Sequence, residues 1–306
     1  MSTQTILVVG ATGQQGGAVV KALLDLPQTP TKYHVLALTR DPESPRARAL
    51  ASAHGDAVEL VQGDSTNPEP VFHSKPNGSI AGLFIVTAPA SSNVSEEKQA
   101  IPLIDAAVAH GVKHIVFSSV DRGGGDKSWT YPTTIKRFRD KHNIEIYLRA
   151  RAQEAASAFT WTILRPVSFL DNLNPGWVCS IFTAMWDIGM RRETKLQLVS
   201  VKDIGVFAAK AFNEPAKWSG KAIGLAGDEL TLGEARDKFE RLVGKNLPET
   251  WTVTAMAVLW ASQELGDMFA FFENEGYGVD IEALRREGPT QDFESWLRDS
   301  SKWLKE

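Results

Sequence analysis

The segment that most restricts what this chain can fold into is its start, Thr5-Ile6-Leu7-Val8-Val9-Gly10-Ala11-Thr12-Gly13-Gln14-Gln15-Gly16-Gly17-Ala18-Val19-Val20. An apolar, β-branched run stops at a glycine cluster and gives way to an alanine- and valine-rich run. That order predicts strand, tight turn and helix. Gly10 permits the turn, Gly13 lets the backbone approach a ligand, and Gly16 lets the helix pack on the strand. The open amides that begin such a helix, together with its dipole, favour a bound anion. An ordinary strand-to-helix turn can also carry three glycines, and the spacing here is G-x-x-G-x-x-G. Position, flanks and the motifs that follow point to a pyrophosphate site built from Gly10, Thr12, Gly13, Gln14, Gln15 and Gly16.

Strand-like runs recur with helical patterns between them. His34–Thr39, Ala57–Gln62, Leu83–Thr87, His114–Ser118 and Thr160–Leu164 read as strands two to six. Ser95 to His110 is the clearest helix, with Ser95 as cap, Glu96 and Glu97 in the first turn, and Gly111 as its end. Asp140 to Phe159 reads as a second long helix. This alternation predicts βαβ units: an α/β, doubly wound parallel sheet of the Rossmann type. After Arg165 the alternation weakens. Pro166 and Pro175 mark a loop, aromatic residues become dense, and Leu196–Val201 and Ala222–Leu225 read as strands. Asp203 is placed as a helix cap, and helices are expected over Thr231–Val243, Ser262–Glu275 and Thr290–Leu304. The reading divides the chain into a dinucleotide-binding domain, 1–165, and a smaller α/β subdomain, 166–306, whose strands can return to the main sheet.

Composition excludes several classes. The 306 residues, 43% hydrophobic and 23% charged, can bury a sizeable core. A net charge of -4 leaves no basic footprint for nucleic acid. Cys179 is the single cysteine, which rules out an intrachain disulfide and a Cys-rich zinc site, and it reads as a small buried side chain. The histidines 34, 54, 73, 110, 114 and 142 are dispersed without ligand spacing, so no metal site is expected. No apolar run has membrane-spanning length, and the first strand begins after only a few polar residues. A cytoplasmic protein is expected, with the nucleus also open to it.

Residues at the expected strand ends carry the chemistry. Arg40, after strand two, offers a planar cation suited to a 2′-phosphate and favours NADP over NAD. Asp41 beside it heads a turn, and a solvated loop charge is the plainer account of Arg40. Asp64 after strand three either accepts from an adenine amino group or caps the next turn. Thr87, Ala88, Pro89 and Ala90 are small enough for a cofactor ribose to lie against the backbone, or simply form a surface loop. Trp129, Trp177, Trp186, Trp251 and Trp260 either line an aromatic pocket or serve as core.

Taken together, Gly10–Gly16, Leu38-Thr39-Arg40, Gly63-Asp64, Lys141–Arg149, Leu164–Asn172, Asp280-Ile281 and Phe293–Leu297 resemble the NmrA-like family of atypical short-chain dehydrogenase/reductases over nearly the whole chain. The resemblance implies a Rossmann-like domain that binds NADP(H) and a smaller subdomain. It places Lys141 at the catalytic-lysine position and Ser118 or Ser119 at the serine position. It makes Pro166, Val167 and Phe169 part of a loop over the nicotinamide. Conventional relatives carry a tyrosine four residues before the lysine, and Arg137 stands there instead. Two functions follow. One is an NADPH-dependent reductase of a small electron-poor acceptor such as a quinone, enone or imine. The other is a non-enzymatic NADP(H) sensor that acts on a regulatory protein partner. A homodimer is compatible with either, and neither needs nucleic acid or a membrane.

Overall fold

The computed structural model describes residues 2–26, 31–88, 94–154 and 159–304. Its strands are β1 (Ser2–Val9), β2 (Thr31–Thr39), β3 (Val58–Gln62), β4 (Ile80–Val86), β5 (His114–Ser118), β6 (Thr160–Pro166), β7 (Ser168–Phe169), β8 (Leu196–Val199), β9 (Lys221–Leu225) and β10 (Asp228–Leu230). Seven of them form one sheet in the order β3-β2-β1-β4-β5-β6-β9. The pairs β1–β2, β1–β4, β2–β3, β4–β5 and β5–β6 are all parallel. Leu7, Val8, Leu83, Phe84, Ile115 and Val116 are fully buried neighbours along these strands. Such continuous apolar runs are what a parallel sheet covered on both faces requires. The strand order reverses on either side of β1, which places a crevice between the carboxyl ends of β1 and β4. The Rossmann-like α/β class expected from the sequence is the observed one.

The chain divides into two compact units. The first comprises Met1–Ser119, Asp140–Arg165 and Ile204–Ile223, and the second Val120–Arg139, Pro166–Asp203 and Gly224–Glu306. The chain passes between the two units five times, after Ser119, Arg139, Arg165, Asp203 and Ile223. The second unit has its own three-stranded sheet, β10-β8-β7, with β7 parallel and β10 antiparallel to β8. Its core gathers Phe182, Trp186, Phe239, Phe269, Phe271, Phe272, Phe293 and Trp296. Cys179 lies in that core as expected, and burial pushes its thiol up to about 11.

Several sequence expectations need correction. Trp177–Gly189 and Thr252–Ala261 are helices not expected from the sequence. The helix beside Asp203 begins at Val201, so Asp203 lies in its first turn and is not its cap. Its carboxylate instead accepts from the Gln291 amide at 2.8 Å. The C-terminal helix covers only Phe293–Asp299, started by an Asp292 cap. The second long helix begins earlier than expected, at Lys136, and runs to Glu154; residues 155–158 of the expected segment lie outside the described residues. The tryptophans divide: Trp186 is core, whereas Trp177, Trp251 and Trp260 are exposed.

His114, on β5, is a buried structural group. Its Nδ1 lies 2.7 Å from the Thr160 hydroxyl and its Nε2 3.1 Å from that of Thr162. Burial lowers its pKa to about 4. The unfolded chain therefore binds a proton on this ring from about pH 6.5 downward, whereas the folded chain does not until about pH 4. Stability should accordingly be full above pH 6.5 and fall by about 3 kcal/mol on descent to pH 4. Urea midpoints of wild type and His114→Asn across this window measure the difference in slope. Identical slopes would remove the assignment.

Candidate functional site

The glycine turn after β1 sets the geometry of the site. Gly10 has φ +72°, and a Cβ there would meet Val86 Cγ1 at 2.7 Å. A Cβ on Gly16 would lie 2.2 Å from the Gly10 carbonyl oxygen, so only glycine lets the helix start fold back so closely on the turn. Gly13 differs. Its φ is -94°, so backbone strain does not require glycine at this position, and a Cβ would stand 3.2 Å from the Gly10 oxygen, a tight contact that a small shift of the turn would relieve. What a side chain at Gly13 would fill is the exposed space in front of the helix. Gly13 is the cap of Gln14–Leu24, with no side-chain hydrogen bond to the first amides and no acidic residue in the first turn. The helix start therefore presents its amides and the positive end of its dipole, as an anion site requires.

The other strand ends lie on the same carboxyl edge of the sheet. Arg40 follows β2 directly and is exposed. Asp41 is occupied by its turn: its carboxylate accepts from the Glu43 amide at 2.9 Å, and its carbonyl from the Ser44 hydroxyl at 2.9 Å. Asp64 accepts from both the amide and the hydroxyl of Thr66 at 2.8 Å, so it caps the turn after β3. Those two hydrogen bonds, with the charge of Arg40, hold its carboxyl below the usual range. Ala88 is tied on both sides to the Gln99 amide, at 2.9 and 3.0 Å. Pro89 and Ala90 lie outside the described residues.

At β4 and β5 a polar chain runs through the first unit. Ser118 Oγ donates to Gln15 Oε1 at 2.5 Å, joining the glycine turn's helix to β5. Lys141 Nζ donates to the Ser118 carbonyl at 3.3 Å and to Thr87 Oγ1 at 3.0 Å, and lies 3.0 Å from Glu96 Oε2. The Thr87 hydroxyl donates in turn to Glu96 Oε2. Glu96 is 2% exposed, and its amide donates to Asp140 Oδ2 at 3.3 Å. The ammonium also faces the Phe117 ring, 5.6 Å from its centroid. Thus Gln15, Thr87, Ser118 and Lys141, four of the residues read from the sequence, are brought into one network. The sequence reading assigned Glu96 only to a helix's first turn. The signal for more was its place immediately after the cap of the helix that follows strand four. Ser119 Oγ is buried and has no hydrogen-bond partner among the described residues.

The remaining expected positions have other settings. Pro166 ends β6, Val167 is buried and donates its amide to the Leu225 carbonyl at 3.2 Å, and Ser168–Phe169 form β7. The segment expected as a loop is therefore largely paired strand. Arg137, at the position of the conventional tyrosine, donates its amide to the Glu264 carboxylate at 3.1 Å. Tyr147 is occupied by Asp105, at 2.7 and 2.8 Å, and burial with that carboxylate pushes its phenol up to about 12. Two of the dispersed histidines, His73 and His110, meet in space beside Glu69.

An uncapped helix at a glycine turn, placed at the switch point of a parallel sheet, defines a Rossmann-like α/β chain. The model of the NmrA-like family matches residues 2–296, and the chain belongs to that family. It is 27% identical to the NmrA-like family domain-containing oxidoreductase FrzB of Cladobotryum sp, over 90% of this chain and 85% of that protein. Among solved structures it resembles the NADPH-dependent quinone oxidoreductase QOR2 of Escherichia coli, complexed with NADPH. There the TM-score is 0.70 at 23% identity, covering 96% of this chain and 98% of that one. It also resembles NmrA, a negative transcriptional regulator, in complex with NADP, with a TM-score of 0.72 at 19% identity over 98% and 96% of the two chains.

Proposed function

We propose that this chain binds NADP(H) along the carboxyl edge of its sheet and reduces a small electron-poor acceptor of the quinone, enone or imine class. The observation that carries the reading is the continuous path from the glycine turn through Gln15 and Ser118 to Lys141, held by Thr87 and Glu96. The residues fit a dinucleotide: Gly10, Thr12, Gly13, Gln14, Gln15 and Gly16 would surround the pyrophosphate, and Arg40 would meet a 2′-phosphate. Thr87, Ala88 and Lys141 would hold a ribose. Asp64 keeps one carboxylate oxygen outside its turn bonds. Pro166, Val167 and Phe169 are proposed beside the nicotinamide. When bound, the reduced cofactor supplies a hydride.

The protein's own part is to orient and to manage the proton. Reduction of a quinone to a hydroquinone takes up one hydride and one proton. Lys141 holds a proton at Nζ, within reach of Thr87 and of the buried Glu96 carboxylate. A substrate hydroxyl or water are the other sources. A general acid contributes typically 10²–10⁴ in rate, which an electron-poor acceptor forgoes more easily than a simple ketone. Arg137 in the place of the tyrosine favours the second reading, a redox sensor that acts on a protein partner. An NADPH-oxidation screen over quinones, enones, imines and plain ketones decides between them. Turnover of the first three ahead of ketones is expected. No turnover at all, with a partner retained at only one NADPH/NADP ratio, supports the sensor.

Cofactor preference is testable at Arg40. Loss of a charge-assisted contact costs about 1.5–3 kcal/mol, or roughly ten- to a hundredfold in affinity. Calorimetry should show Arg40→Ala losing that much NADP affinity while NAD binding is unchanged. Equal wild-type affinity for the two dinucleotides would end the claim of NADP preference.

A further inference from the structure

Glu69 and His73 sit four residues apart on one short helix, Glu69–His73, and so share a face. His110 is the C-terminal cap residue of the helix Glu96–Ala109. Its Nε2 lies 3.1 Å from Glu69 Oε2, and His73 Nε2 lies 3.7 Å from the same oxygen. One potential ligand atom from each of the three residues falls within 4.8 Å of the others. We propose that Glu69, His73 and His110 bind a divalent ion of the zinc class, with water completing the shell.

Two imidazole nitrogens and a carboxylate oxygen are the donor set of an open zinc site. With bonds of about 2.0–2.2 Å at tetrahedral angles, ligand atoms stand about 3.4 Å apart. The two separations from the Glu69 oxygen straddle that value. The third separation lies within 4.8 Å, and His73, whose side chain is 68% exposed, is the residue with room to turn toward the ion. His110 needs no such movement. Its ring stacks on the buried Phe72 ring, with centroids 5.5 Å apart and planes 22° apart. Its backbone is fixed as well, by the Gly78 amide donating to its carbonyl at 2.9 Å. One ligand is thus rigid, one moderately free and one mobile. The nitrogen donors select zinc, nickel or copper ions over magnesium or calcium, which prefer all-oxygen shells.

The site lies apart from the proposed cofactor edge. His110 ends a helix that leads into the start of β5, at the amino-terminal edge of the sheet. A bound ion would join the helix Glu69–His73 to the end of Glu96–Ala109 without touching Lys141 or the glycine turn.

The test is calorimetry of the intact protein with zinc chloride and with magnesium chloride, paired with anomalous diffraction at the zinc edge from a zinc-soaked crystal. Wild type is expected to take up one zinc ion, with an anomalous peak between the three side chains. His73→Ala and Glu69→Gln should each weaken binding by about tenfold or more. His110→Ala should do the same, and since its ring packs on Phe72, the exposed His73 variant guards against a loss due to unfolding. Unchanged zinc affinity in His73→Ala and Glu69→Gln would overturn the site. So would an anomalous peak elsewhere, or magnesium bound as tightly as zinc.

Discussion

Gly13→Val is expected to abolish NADP(H) binding in a protein that still folds. The backbone at Gly13 is already in a conformation open to any residue, and its Cβ direction leads into exposed space with the Gly10 oxygen at 3.2 Å. The fold therefore accommodates valine with a small adjustment. A pyrophosphate cannot, because the isopropyl group would take the volume in front of the helix amides. Each charge-assisted hydrogen bond contributes about 1.5–3 kcal/mol, so losing two lowers affinity by roughly 10²–10⁴. Gly16→Ala is the contrasting control. Its methyl group would sit 2.2 Å from a backbone oxygen, so that substitution must disturb the turn itself. Calorimetry with NADP, read beside circular dichroism, separates the two. A folded Gly13→Val protein with wild-type affinity would show that the phosphate lies elsewhere.

The largest stability effect is expected at Glu145. Its carboxylate and the Arg165 guanidinium form a forked pair, with contacts of 3.1 and 2.7 Å, and both side chains are essentially inaccessible to water. The helix Lys136–Glu154 is thereby fixed to β6, and with it the segment that carries Lys141. Glu145→Ala leaves a buried guanidinium without its carboxylate, which costs about 3–5 kcal/mol. In a chain of this size about 2 °C is lost per kcal/mol, so the melting temperature should drop by roughly 6–10 °C. Replacing both residues with methionine removes both buried charges, and most of the loss should return. A single variant as stable as wild type would mean that the pair is dispensable.

The sequence was most legible where one physical signal dominated. β5 is the five-residue run read from His114 to Ser118, because β-branched and aromatic side chains fill a strand buried on both faces. Ser95 caps its helix as read, with the Lys98 amide 3.3 Å from its hydroxyl. Trp177–Gly189 was concealed because it is mostly apolar and buries Cys179, Ile181, Phe182, Thr183, Ala184, Met185 and Trp186, so that only Ser180, Thr183 and Asp187 mark the helical period. Glu96 escaped for another reason. Its partners Thr87 and Lys141 are brought together by strand order, which local patterning does not encode. His73 and His110 read as dispersed in the sequence, because what brings them together beside Glu69 is the place where another helix ends.

The interleaved course of the chain bears on how the protein is made. The first unit needs Ile204–Ile223, which is synthesised after Pro166–Asp203 of the second. β9 is the sheet's last strand, hydrogen-bonded to β6. A growing polypeptide that has reached Arg165 therefore holds six strands' worth of sequence and an unsatisfied border on β6. At roughly 5–20 residues per second, that border waits for seconds before its neighbour leaves the ribosome. Stalled or truncated products ending in this interval would expose a sticky strand edge, which makes them natural clients for holding chaperones.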